Sequence, residues 1–212
     1  MYLFSRIARL APGNTRAAIT WATSITEKVH QITGLNVSLF SQTFSPAVGT
    51  LSWSTFVPDL ATLEGAADKL LVDDGYVSMV DEGAKFAQGG ANDRLSQIIY
   101  GEPDPNRQIE YVTAVRTVCA SGSGTRGMEL GVEIAQRAEK IMGTSTMFAS
   151  TATGAYGSVA WLTGYADVKA MEAAQQALAA DTSFSAFLDK NVKGVYVDDP
   201  SVTQTIILRR IV

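Results

Sequence analysis

The sequence has one histidine, His30, and one cysteine, Cys119, in 212 residues. A single thiol cannot staple a disulfide scaffold. A zinc or non-haem iron centre needs several converging His, Cys or carboxylate ligands. No metal site and no cofactor are therefore expected. The same scarcity argues against a serine nucleophile with a histidine base. Gly-x-Ser-x-Gly is absent, and Gly122-Ser123-Gly124 reads as a turn feeding a helix N-cap.

Charge is also sparse: charged residues are 18% of the chain and the net charge is −4. No Lys/Arg block is present, which excludes a phosphate-backbone partner, so no nucleic acid is expected. No segment approaches the roughly 18 apolar residues of a membrane span. The first residues, Met1 to Arg6, make too short an apolar stretch for a signal peptide. These absences lead to the expectation of a cytoplasmic protein without a membrane partner. Hydrophobic residues at 46% suffice for a packed core.

Against this background stands a repeat. Trp53 and Trp161 are 108 residues apart, and at that spacing residues 53–85 align with 161–193 without a gap. Nine of the 33 positions match, among them Thr55/Thr163, Asp59/Asp167, Asp73/Asp181 and Lys85/Lys193. Chance gives about two. Toward each N-terminus the spacing slips by about two residues, pairing Arg6 with Arg116. A length change at the turns near Gly34 and Gly143 accounts for the slip.

Each copy reads as one unit. Residues 3–10 favour a strand and end at Ala11-Pro12-Gly13-Asn14, a turn. Ala18, Ala22, Ile25, Val29 and Ile32 recur at helical spacing, and Gly34 stops that helix. Residues 37–44 and 51–56 form a hairpin. Helices over 60–71 and 76–86 follow, then a strand over 94–100. The second copy repeats the pattern from residue 109 onward. Repeat 1 is expected over 1–100, a Pro-containing linker over 101–108 and repeat 2 over 109–212. The fold class is α+β: two tandem ferredoxin-like β-α-β-β-α-β units whose sheets pack face to face.

The stretch Trp53-x-Thr55-Phe56-x-x-Asp59 with Asp73-Asp74-Gly75-Tyr76, and its copy Trp161-x-Thr163, Asp167 and Asp181-Thr182-Ser183-Phe184, resembles the dimeric α+β barrel superfamily. The resemblance covers almost the whole chain. It implies an intramolecular dimeric α+β barrel, a pairing normally made by two chains. It also implies a range of activities, from cofactor-independent monooxygenases acting on an apolar or aromatic small molecule held between the sheets to haem-binding or haem-degrading barrels. A non-catalytic protein of the same fold that binds a ligand or assembles further as a homo-oligomer is the alternative. Fold alone does not choose among them.

The candidate ligand-binding residues are Arg6, Arg116, Trp53 and Trp161. They are the polar and aromatic features that occur in both copies near the expected interior. An arginine among apolar strand residues needs a counter-charge, water or an anionic ligand. The bland reading is an ion-paired arginine at a strand edge, and for the tryptophans a place in the core. His30, late in the first helix, has no matching histidine in the second copy. A haem ligand there is the lesser reading beside a helix-end histidine. Cys119 reads as a small buried hydrophobe.

Overall fold

The computed structural model describes residues 1–104 and 106–212; Pro105, within the expected linker, lies outside the described residues. Repeat 1 comprises β1 (Tyr2–Arg9), α1 (Thr15–Thr33), β2 (Ser38–Thr43), β3 (Thr50–Val57), α2 (Leu60–Leu71), α3 (Asp74–Gly83) and β4 (Asn92–Tyr100). Repeat 2 comprises β5 (Tyr111–Val118), α4 (Gly124–Met142), β6 (Thr146–Thr151), β7 (Ser158–Tyr165), α5 (Val168–Ala180), α6 (Thr182–Asn191) and β8 (Gln204–Arg210). The strands follow one another in the order β1-β3-β2-β8-β5-β7-β6-β4, an eight-stranded closed antiparallel barrel in one chain. Among the described residues no helix is long and apolar enough to cross a membrane.

The chain divides into two compact units, residues 1–95 with 210–212, and residues 96–209. In the first, β3 lies between β1 and β2, and α1, α2 and α3 cover one face. In the second, β7 pairs with β5 and β6, β5 also pairs with β8, and the 96–100 end of β4 pairs with β6. The main chain of Ile211 and Val212 bonds to Leu39 inside the first unit.

Four helices start on an aspartate whose carboxylate accepts from a backbone N–H three residues on. The pairs are Asp59–Thr62, Asp73–Tyr76, Asp167–Ala170 and Asp181–Phe184, at 2.7 to 2.8 Å. Each cap satisfies an amide that the helix cannot. The cap at Asp73 starts α3 at Asp74, two residues earlier than apolar spacing suggests. Both long helices, α1 and α4, end on a glycine with positive φ, Gly34 at 74° and Gly143 at 64°. An L side chain is disfavoured there.

The two glycines are 109 residues apart, not 108. The same holds for β2 and β6, where Leu39 sits opposite Trp53 and Phe148 opposite Trp161. The tryptophans themselves are 108 apart. The length change therefore lies in the β2–β3 and β6–β7 hairpins. The spacing is already 109 on either side of Gly34 and Gly143, so the turns there do not account for the slip.

Candidate functional site

Trp53 and Trp161 hold equivalent places, and both face the helices of their own unit. The Trp161 indole N–H donates to the Gly131 carbonyl on α4 at 2.8 Å. The Trp53 indole N–H donates to Thr26 Oγ1 at 2.9 Å and reaches toward the Ala22 carbonyl at 3.4 Å, both on α1. Ala22 and Gly131 are themselves 109 apart. Trp161 packs against Phe148 and edge-on to Tyr196, with centroids 5.2 and 5.5 Å away. Trp53 meets Trp21 edge-on at 5.9 Å. Each indole thus ties the middle strand of its sheet to the first helix of its repeat.

The sheet register separates the two arginines. Arg6 lies opposite Trp53, whereas the residue opposite Trp161 is Val115. Directly paired residues share a face, and a shift of one reverses it. Arg6 is therefore on the helix side of its sheet and Arg116 on the helix-free side of its own. Arg6 makes a two-pronged bond to Asp93, with both contacts at 2.8 Å. That carboxylate holds the guanidinium pKa above its ordinary value. Arg116 is half-buried, opposite Ala160 and Gln204. None of the ion pairs among the described residues involves it.

The helix-free faces of the two units differ in character. Beside Arg116 the second unit places Val112, Ala114, Val118, Ala160, Leu162, Ile206 and Leu208, a mostly apolar surface whose polar members include Gln204 and Ser158. The first unit mixes serines there with Leu3, Ile7, Phe40 and Phe56. Ser5 and Ser54 share a hydrogen bond of 2.9 Å, and Ser52 lies 3.3 Å from Ser54. On the neighbouring strand, Gln42 Oε1 is shut off from solvent and has no donor. Nothing in the pattern of apolar residues marks Gln42, whose isolation depends on packing around it.

The remaining chemistry-bearing side chains are engaged structurally. His30 Nδ1 is 3.0 Å from the Leu35 carbonyl, just past the end of α1, so its ring N–H donates there. Cys119 is buried, and burial raises its thiol pKa. No group of three or more His, Cys, Asp or Glu able to hold a metal occurs among the described residues.

A groove of about 890 Å³ opens in the helix layer of the first unit. Trp21, Met79 and Phe86 line it, with Ala17, Thr20 and Ser24 along its α1 edge and Arg16, Glu82 and Lys85 at its rim. A smaller one, about 430 Å³, lies by Arg137, Lys140 and Phe184 in the second unit.

No protein-family model matches the sequence, and no curated protein matches it. Solved structures do resemble it along its whole length. A "putative monooxygenase" from Fusobacterium nucleatum superposes with a TM-score of 0.73 at 10% identity, covering 100% of this chain and 92% of that one. A protein of the same description from Lactobacillus acidophilus gives 0.63 at 10% identity, with 99% and 93% covered. An anthrone oxidase-like protein gives 0.68 at 9% identity, with 100% and 91% covered. The fold is thus that of the dimeric α+β barrels, with both halves in one chain. At these identities the likeness concerns the fold.

Proposed function

We propose that this protein is a monooxygenase-like barrel that binds an apolar or aromatic small molecule, with Arg116 as the partner of an anion formed on it. The observation that carries the reading is the setting of Arg116: a half-buried cation on an apolar sheet face, outside every ion pair among the described residues. A guanidinium cannot act as a base at ordinary pH, but it stabilises a neighbouring carbanion or phenolate. Such an anion can pass electrons to oxygen without a metal. In the balanced reaction a ring CH₂ and O₂ give a ring C=O and water. Arg6 is paired with Asp93, and Trp53 and Trp161 are bonded into the helix layer. In this reading they shape the sheets rather than touch the ligand.

The test is oxygen uptake with a panel of anthrones and quinols. Uptake with at least one, reduced about 10²-fold in Arg116→Gln, is the expected result. A protein inert to the whole panel overturns the enzymatic reading. Native mass spectrometry then reports whether a ligand is bound without turnover. A haem titration in which the Soret band stays that of free haem disposes of the haem-binding alternative.

A further inference from the structure

We infer that the groove between α1 and α3 binds a planar aromatic anion, at a site separate from the sheet face that carries Arg116. The groove has the size of a small-molecule site. Its aromatic floor is held in place. The Trp21 indole N–H donates to the Met79 carbonyl at 2.7 Å, and Phe86 lies 5.8 Å from the Trp21 ring at a tilt of 40°. Beneath them Gly83 leaves room for the indole, since a Cβ there would lie 2.2 Å from the ring. Trp21 remains partly exposed, so a flat ring can stack on it.

The duplication supplies an internal comparison. With the 109-residue spacing of α1 and α4, Ala17, Thr20, Ser24 and Lys28 correspond to Arg126, Glu129, Glu133 and Arg137. In repeat 2 these four positions carry long charged side chains that pair along the helix: Arg126 with Glu129 and Arg137 with Glu133, with Arg137 also 4.0 Å over the Phe187 ring, whose counterpart is Met79. Repeat 1 has short side chains at the first three of these positions, all exposed, and Lys28 turns instead to Asp73. The positions of Trp21 and Phe86 hold Leu130, which is buried, and Gly194 in repeat 2. Phe86 is itself buried with Lys85 Nζ 5.0 Å over its ring, so the stacking surface is the partly exposed Trp21 indole, present in repeat 1 alone.

Charge complementarity gives the sign of the ligand. Arg16 and Lys85 line the groove against one acid, Glu82, which Lys85 contacts at 2.7 Å. The first turn of α1 adds no acidic residue, and Asn14 makes no side-chain cap, so the positive end of that helix faces the same rim. An aromatic carboxylate or sulfonate fits this combination better than a neutral ring.

The test is a titration of intrinsic tryptophan fluorescence with 1-naphthoate and, as its neutral counterpart, 1-naphthalenemethanol. Naphthoate is expected to bind about tenfold more tightly, and the preference should shrink at high salt as screening sets in. The double substitution Ala17→Arg, Thr20→Glu imports the exposed ion pair of repeat 2 without changing net charge, and should abolish binding. Arg16→Gln with Lys85→Gln should leave weak binding and remove the preference for the anion. Equal affinity for the two ligands overturns the assignment, as does unchanged binding in the Ala17→Arg, Thr20→Glu protein. Neither variant touches Arg116, so oxygen uptake reports on the other site independently.

Discussion

The ring of Phe148 lies against the backbone of Gly131: a Cβ added at that glycine would come within 2.1 Å of Phe148 Cζ. The corresponding residues in repeat 1 are Leu39 and Ala22, both fully buried. A larger side chain on the strand is matched by a smaller one on the helix. Gly131→Ala should therefore destabilise the protein by about 1–3 kcal/mol through overpacking, despite the better helix propensity of alanine. Adding Phe148→Leu should return part of that loss. A double-mutant cycle by denaturant unfolding should give a coupling of about 1 kcal/mol or more. Simple additivity would show that the two sites do not share the space.

Acid should weaken the helix starts. Backbone N–H bonds from Thr62 and Tyr76 hold the Asp59 and Asp73 carboxyls below the usual range, with Lys28 adding to the effect at Asp73. The Ser183 hydroxyl and the Phe184 N–H do the same for Asp181. A carboxyl whose pKa is lower in the folded chain stabilises it above the unfolded value of about 3.9. That contribution disappears as pH falls through the folded values. The melting temperature should therefore decline below about pH 4. In a protein with Asp59, Asp73 and Asp181 all changed to Ala, melting should start lower at neutral pH and show a smaller acid decline. An unchanged acid profile would remove these caps from the explanation.

Cys119 should be inert in the folded protein. It is buried, its thiol pKa is raised by that burial, and its sulfur lies against Gly127. The thiolate is the reactive form. A chromogenic disulfide reagent at pH 8 should label the native protein far more slowly than the unfolded chain. Fast labelling of the native state would mean that this part of the second unit opens readily.

Much of the fold was legible because its signals are local. The aspartate caps, the glycines that end α1 and α4, and the apolar spacing along those helices each act within a few residues. The matched tryptophans marked the repeat because both lie in the segment of constant 108-residue spacing. The arginine pair fails as an equivalence for a reason of register. One residue of difference in the hairpins makes Val115, not Arg116, the counterpart of Arg6, and on a strand one residue is a change of face. The groove beside Trp21 was not legible at all. It depends on side chains that are short in one copy and long in the other, and on which helix faces which. The unmet acceptor of Gln42 likewise exists only once the surrounding packing is in place.

Each compact unit includes residues of the opposite repeat, 210–212 in one case and 96–100 in the other. Two separate chains of this kind could choose among identical partners, and any mutation would appear on both sides of the pairing at once. Joining them in one polypeptide makes the partner constant and always present at high effective concentration. Each half is then free to accumulate changes that its counterpart does not share. That freedom is what allows Ala17, Thr20 and Ser24 to stand in one copy while charged side chains stand in the other.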